Sequence, residues 1–111
     1  MKSQKQLWIL AGANGAGKST FYRLFLKPRG INLINADIIA RAINPVNQES
    51  ASYKAMILAE RLREDLLLQG ISFCFETVFS HPSKIDFIAR AKSLGYHIVL
   101  CLLYTSPSPR D

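Results

Sequence analysis

The sequence predicts an α/β fold in which a parallel β-sheet carries helices on both faces. Three observations lead to this prediction. Short apolar runs alternate with longer segments of helical periodicity along the chain. A glycine-rich loop, residues 12–19, separates the first apolar run from the first helical segment. The resulting order is β-α-β-α-β-α-β, and parallel strands joined in this way require right-handed crossovers.

The first strand and the first helix flank the glycine-rich loop. Residues 7–11 (LWILA) are a short apolar run that is typical of a buried parallel strand. In the helix predicted over residues 19–26, Leu24 and Phe25 follow Phe21 by three and four positions and form one helix face with it.

Three more strands and three helical segments are predicted after the first helix. Asn44-Pro45 ends the first of these helices and Gly70 ends the second. Pro82 suits the first turn of the third helix, which Gly95 ends. The predicted strands are residues 31–35, 71–77 and 96–100, and the predicted helical segments are residues 38–43, 50–69 and 82–93.

The loop fits the phosphate-binding pattern G-x-x-x-x-G-K-[ST], the P-loop. Its glycines let the backbone approach phosphate oxygens closely, and its N–H groups form an anion nest beside the helix that begins near Gly17. Lys18 supplies a charge to the β- and γ-phosphates, the Ser19 hydroxyl ligates Mg²⁺, and Thr20 bonds an α-phosphate oxygen. The predicted nucleotide-binding residues are Gly12, Ala13, Asn14, Gly15, Ala16, Gly17, Lys18, Ser19 and Thr20.

The loop has two alternative interpretations. One is a glycine-rich turn that carries an incidental lysine, which the flanking strand and helix disfavour. The other is a dinucleotide-binding loop, which requires a third glycine where this chain has Thr20. The pattern therefore predicts a nucleoside triphosphate with Mg²⁺ as the ligand.

Polar residues also end the second and third predicted strands. Asn35-Ala36-Asp37 follows the second strand, and Glu76 and Thr77 end the third. Because ligands of such sheets bind at the carboxyl ends of the strands, we expect these residues and the P-loop to converge on one cleft. Asp37 is placed to accept a hydroxyl proton, and its alternative role is to cap a helix that begins at Ile38. Glu76 has the alternative of an ordinary strand-end carboxylate.

Four further residues near the cleft or its loops can be explained by structural or surface roles alone. His81 precedes Pro82 and is expected to enter a helix, and His97 leads a strand. Arg23 and Arg41 lie near the predicted cleft, where each is either a phosphate contact or a solvated surface charge.

Three motifs together resemble the zeta toxin family, P-loop small-molecule kinases that include UDP-N-acetylglucosamine kinases. They are residues 11–20 (AGANGAGKST), 35–40 (NADIIA) and 75–80 (FETVFS), and the resemblance covers residues 6–100. It implies a kinase-like fold and phosphate transfer from ATP or GTP to a sugar hydroxyl of a UDP-amino sugar.

The resemblance also implies roles for individual residues. Asp37 matches the family's catalytic base, and Glu76 and Thr77 match its substrate-binding pair. Together with Lys18, which stabilises the transferred charge, Asp37 is the predicted catalytic machinery.

The end of the sequence departs from the family. Residues 101–111 (CLLYTSPSPRD) match the translation of a transposon adapter used in sequencing-library preparation, so we expect natural sequence over residues 1–100 and a non-native tail after it. A flexible Ser/Pro-rich terminus is the alternative. The family's lid arginines lie further downstream, and we therefore expect a C-terminally truncated kinase domain that binds nucleotide weakly.

Composition limits the remaining functions. The formal net charge is +6, with basic residues scattered, which suits an anionic phosphate substrate better than nucleic acid. Cys74 and Cys101 have no metal or disulfide spacing, and no leader or membrane-length apolar run occurs, so a cytoplasmic location is expected. An ATPase or nucleotide-dependent switch without a small-molecule acceptor is the alternative function, and an antitoxin partner is left open.

Overall fold

Four parallel β-strands form one sheet in the part of the chain that the structure, a computed structural model, describes: residues 4–12, 17–77 and 82–103. The strands are β1 (Gln6–Ala11), β2 (Asn32–Ile34), β3 (Phe73–Thr77) and β4 (His97–Leu102). Their order in the sheet is β2-β3-β1-β4, and each neighbouring pair is parallel. The predicted parallel α/β fold is confirmed.

The helices follow the predicted alternation with the strands. They are α1 (Lys18–Phe21), α2 (Ala36–Ile43), α3 (Ser52–Gln69) and α4 (Pro82–Ser93). Helical backbone continues beyond α1 as a π-helical segment and a 3₁₀ turn, and a second 3₁₀ turn precedes α3. Gly70 ends α3 with a left-handed φ of 73°, as its position in the sequence predicts.

The sheet buries a different cluster on each face. One face packs against α2, α3 and α4, and the other packs against the helical segment after α1. The first cluster contains Leu7, Ile9, Ile34, Ala59, Leu67, Phe73, Phe75, Ala91 and Tyr96. The second contains Leu10, Leu26, Ile31 and Cys74. Side chains alternate along β1 and β3 between these clusters, which is how a strand buried on both faces is built.

The predicted face of the first helix is wrong in register. Leu24 and Phe25 are 53% and 57% exposed, whereas Leu26 is fully buried. The backbone from Tyr22 to Leu26 is π-helical. A π-helix takes more residues per turn than an α-helix, so the inward position falls one or two residues later than α-helical spacing predicts.

The second helix begins two residues earlier than predicted, and Asp37 is not its cap. Asn35 precedes α2, and its side-chain oxygen accepts hydrogen bonds from the backbone N–H groups of Asp37 and Ile38. The alternative role given to Asp37 is therefore wrong, because Asn35 already satisfies the free donors of the first turn.

The edge strand β4 crosses the predicted end of natural sequence. It runs to Leu102, and the N–H of Leu103 donates to the carbonyl of Ala11 at 2.8 Å. The boundary predicted after Leu100 thus falls inside a paired strand. Among the described residues, no helix has the length and apolarity needed to cross a membrane.

The Tyr96 hydroxyl lies within hydrogen-bond distance of three backbone carbonyls at the end of α3 and just after it. It lies 2.8 Å from the carbonyl of Leu66, 3.0 Å from that of Ile71 and 3.3 Å from that of Leu67, at the end of α3. Lys5 lies over the Tyr96 ring, with Nζ 5.0 Å from its centre. Burial raises the pKa of Tyr96, which favours the protonated donor.

We expect Tyr96→Phe to lower the free energy of unfolding at pH 7 by about 1 kcal/mol, because the carbonyls of Leu66, Leu67 and Ile71 lose the hydroxyl as a hydrogen-bond partner. A raised folded-state pKa gives stability that is present below the unfolded-state value and is lost as pH rises through the folded value. The free energies of unfolding of the unsubstituted protein and of Tyr96→Phe should therefore become more similar above about pH 10. Urea unfolding at pH 7 and pH 11 measures it. Tyr53→Phe, at a ring that is 73% exposed, is the control and should change little.

Candidate functional site

The carboxyl ends of β1, β2 and β3 meet at one cavity of about 390 Å³. Residues from all three predicted polar sites line it. They are Gly17, Lys18, Ser19, Thr20, Asn35, Asp37, Arg41 and Glu76. The side chains that we expected to converge therefore surround one space.

The strand order explains why these groups meet. Register pairs Glu76 with Leu10 and Thr77 with Ala11, so the end of β3 lies beside the start of the P-loop. The chain leaves β1 toward one face of the sheet and leaves β3 toward α4 on the other face. Such a switch point opens a crevice between the two strand ends, which is where α/β sheets bind their ligands.

Lys18 is the buried cation of the cavity. Its side chain is 7% exposed, and Nζ donates to the carbonyl of Gly12 at 2.8 Å. Gly17, at a φ of 95°, turns the chain into α1 just before it. Among the described residues no carboxylate forms an ion pair with Lys18. A buried ammonium is costly where its charge is not compensated, so an anionic ligand such as a polyphosphate fits this position.

The rest of the predicted loop is only partly visible. Ser19 and Thr20 are exposed and line the cavity beside Lys18. Ala13, Asn14, Gly15 and Ala16 lie outside the described residues, as does His81. Thr77 ends β3, and nothing further is described of its side chain.

Asn35 joins the two acidic groups of the cavity. Its Oδ1 accepts from the N–H of Asp37 at 2.7 Å and from that of Ile38 at 3.2 Å, while its Nδ2 donates to Oε1 of Glu76 at 3.1 Å. The other carboxylate oxygen of Glu76, Oε2, is buried and has no hydrogen-bond partner among the described residues. Sequence analysis did not assign Asn35 a separate role, although an Asn before an apolar helical run is a recognised cap signal.

The structure distinguishes the two arginines that the sequence allowed as either phosphate contacts or surface charges. Arg41 lies on α2 one turn after Asp37 and lines the cavity, so it adds a second cation to the site. Arg23 is exposed and is not among the lining residues. His97 is exposed at the start of β4, at the other edge of the sheet.

The oxygen groups of the cavity fit a nucleotide-bound magnesium ion better than a protein-held metal. Among the described residues, no group of three or more His, Cys, Asp or Glu side chains could hold a metal ion. Mg²⁺ at nucleotide sites is held through phosphates, waters and one or two protein oxygens. The Ser19 hydroxyl and a carboxylate of Asp37 or Glu76 can supply that contribution.

Cys74 lies close to this site without sharing its chemistry. The residue is fully buried below the cavity, in the cluster that α1 covers. Burial and the nearby charge of Glu76 raise the pKa of Cys74 to about 12. The thiol is therefore protonated and unreactive at neutral pH.

A larger cleft of about 550 Å³ lies between α3 and α4. Three of its charged groups have partners: Arg90 and Glu64 form a bidentate pair at 2.6 and 2.8 Å, and Arg63 lies 5.3 and 5.7 Å from the ring centres of Phe75 and Phe87. The smaller cavity is lined by the buried Lys18 and by Glu76, whose Oε2 has no hydrogen-bond partner among the described residues, and we place the functional site there.

Sequence comparison assigns the family. A sequence model of the zeta toxin family matches residues 1–109. The chain belongs to the zeta toxin family. This zeta toxin family member is also 34% identical over 104 residues to an uncharacterized protein of Haemophilus influenzae, in an alignment that covers 87% of the chain and 74% of that relative.

Solved structures share the fold of this family member. A candidate kinase from Chloroflexus aurantiacus superposes with a TM-score of 0.69 at 13% identity, over 93% of the chain and 61% of that protein. A structure from the PezAT toxin–antitoxin system of Streptococcus pneumoniae gives 0.71 at 21% identity, over 91% and 48%. The chain thus spans about half the length of these structures, and the likeness establishes a P-loop kinase-like fold.

Proposed function

We propose that this zeta toxin family member forms the nucleotide- and acceptor-binding part of a longer kinase. The kinase would transfer the γ-phosphate of ATP or GTP to a hydroxyl of a small metabolite, a UDP-amino sugar. The observation that carries the proposal is the arrangement of one buried lysine and two carboxylates around a single cavity of about 390 Å³. Phosphoryl transfer requires a cation for the phosphates and an acidic group for the acceptor within the same space.

The nucleotide would occupy the side of the cavity formed by Gly17, Lys18, Ser19 and Thr20. Lys18 neutralises charge that develops on the β- and γ-phosphate oxygens. Magnesium, when bound with the nucleotide, neutralises the remaining phosphate charge, and the Ser19 hydroxyl is its protein ligand. Residues 12–16 would complete the cradle.

The acceptor would occupy the side formed by Asp37, Arg41 and Glu76. Asp37 accepts the proton of the acceptor hydroxyl while the hydroxyl oxygen bonds to the γ-phosphorus. The bond from that phosphorus to the bridging oxygen breaks, and its electrons leave with the nucleoside diphosphate. Glu76 and Thr77 hold the acceptor, and Arg41 faces its anionic part, which a nucleotide sugar supplies as a diphosphate.

The extent of the chain fits a part of this machinery. The chain spans 61% and 48% of the two kinase-fold structures described above. The arginines that close over the phosphates in this family would come from further along the parent protein. We therefore expect residues 1–111 alone to bind nucleotide weakly and to turn over little or no substrate.

Product analysis tests the proposed reaction. The parent protein, obtained by continuing the reading frame past Leu100, is incubated with Mg²⁺, γ-labelled ATP and UDP-N-acetylglucosamine. We expect label in the nucleotide sugar in one-to-one ratio with ADP. Label found only in inorganic phosphate, with or without the sugar, would contradict a kinase and favour the ATPase alternative.

A protein partner is a second part of the proposal. One of the similar structures comes from a toxin–antitoxin system. We propose that an inhibitory antitoxin binds the parent protein. Co-purification with the product of the neighbouring gene, together with loss of phosphotransfer in the complex, is the expected result.

A further inference from the structure

We infer that Asn35 is a positioning residue that fixes the Glu76 carboxylate relative to the start of α2, the helix that carries Asp37. In this arrangement one carboxylate oxygen of Glu76 bonds Asn35, and the other is left to accept a hydrogen bond from a hydroxyl of the acceptor. The inference rests on the proposed function, and it assigns a role to a cavity residue that the proposed reaction does not use.

The hydrogen bonds of Asn35 allow only one orientation of its amide. Oδ1 accepts from two backbone N–H groups at the start of α2, and Nδ2 donates to Oε1 of Glu76. A flipped amide would set its NH₂ group against two donors and its oxygen against a carboxylate, so both ends would repel. The helix end and the carboxylate therefore fix the amide together.

This amide is the physical link between Asp37 and Glu76. The N–H of Asp37 lies 2.7 Å from the Asn35 oxygen, which holds Asp37 in the first turn of α2. Glu76, 41 residues away along the chain, is held through Oε1 at 3.1 Å. A movement of the Glu76 carboxylate or of the backbone at the start of α2 would have to break one of these bonds, so one side chain sets where Glu76 lies relative to the helix that carries Asp37.

The second carboxylate oxygen of Glu76, Oε2, indicates which kind of ligand group the site accepts. Oε2 is buried without a hydrogen bond among the described residues, and Glu76 lines the cavity. A buried carboxylate oxygen is costly until a donor satisfies it. A sugar hydroxyl is such a donor, and Glu76 lines the same cavity as Asp37.

The chemistry of the cap residue explains why this position carries asparagine. Asn, Asp, Ser and Thr all cap helices. An ionised aspartate cannot donate to Glu76, and the hydroxyls of Ser and Thr end closer to the backbone than the amide nitrogen does. Only asparagine caps α2 and also donates across to β3.

Variants at Asn35 separate capping from positioning. Asn35→Asp and Asn35→Ser keep an oxygen for the helix cap, and both lose the donor for Glu76. We expect each to weaken binding of UDP-N-acetylglucosamine to residues 1–111 about tenfold or more, which corresponds to about 1.4 kcal/mol. Binding of Mg²⁺-ATP should stay within about twofold. Calorimetric titration of both ligands, with thermal melts, supplies the readouts.

Asn47→Asp and Asn47→Ser are the matched controls. Asn47 caps the 3₁₀ turn before α3 through a bond from the N–H of Ser50, and it lies outside the cavity. The same substitutions there should leave both affinities unchanged. A fall in acceptor affinity at Asn47 as large as that at Asn35 would show a general effect of cap loss and would overturn the inference.

A double variant that exchanges the amide and the carboxylate tests whether acceptor binding depends on more than stability. Asn35→Asp combined with Glu76→Gln restores a hydrogen bond of reversed direction and keeps the total charge. We expect this pair to recover the melting temperature without recovering acceptor binding, because no carboxylate oxygen then faces the acceptor from β3. Recovery of acceptor binding would show that Asn35 contributes only to stability, and it would overturn the inference. Unchanged acceptor binding in both single variants would also overturn the inference, whereas an unsubstituted chain that binds ATP but not UDP-N-acetylglucosamine would contradict the proposed acceptor itself.

Discussion

Lys18→Met is expected to weaken ATP binding by about 100-fold or more and to abolish phosphotransfer in the parent protein. The lysine is 7% exposed, and its Nζ is the buried positive charge of the cavity. Methionine keeps an unbranched side chain of similar length and removes the charge together with the hydrogen bond to the Gly12 carbonyl. Titration with a fluorescent ATP analogue measures the first effect, and label transfer to the acceptor measures the second.

Stability distinguishes this loss of binding from unfolding. Among the described residues, the hydrogen-bond partner of Lys18 Nζ is the carbonyl of Gly12. Removing a poorly compensated buried charge is expected to leave the melting temperature unchanged or to raise it. Lys92→Met, at an exposed lysine in the last turn of α4, is the control. Full ATP affinity in Lys18→Met would contradict the assignment of the phosphate site.

The sequence predicts the site as well as it does because parallel strands share a direction. Once β1, β2 and β3 are recognised as parallel strands, their carboxyl ends must meet at one edge. Lys18, Asp37 and Glu76 each follow or end such a strand, and the structure places all three around one cavity. The prediction needed only the alternation of elements and the position of each polar residue at a strand end.

What the sequence does not predict depends on a single distant contact or on a change of helix type. The bond from Asn35 to Glu76 joins residues 41 positions apart, and no local pattern encodes it. The burial of Leu26 in place of Leu24 follows from a π-helical segment, which shifts the apolar stripe without any break in the sequence pattern. The sequence placed Arg41 near the cleft and left it open between a phosphate contact and a solvated surface charge, and its position in the lining of the cavity comes from the structure.

Asp37→Asn is expected to lower kcat of the parent protein about 100- to 10,000-fold while ATP affinity stays within about twofold. The amide has nearly the same size as the carboxylate and cannot take the hydroxyl proton. Because Asn35 caps α2 and bonds only the backbone N–H of Asp37, the substitution leaves the helix start intact. Single-turnover label transfer measures the chemical step, and calorimetry measures ATP binding.

The comparison that decides this prediction is between the two carboxylates. Asp65→Asn, at an exposed residue of α3 outside the cavity, should change neither quantity. Glu76→Gln should act on acceptor affinity more than on kcat, since Glu76 is expected to hold the acceptor and Asp37 to accept its proton. If Asp37→Asn retains kcat while Glu76→Gln loses it, the base is Glu76, whose Oε2 has no hydrogen-bond partner among the described residues.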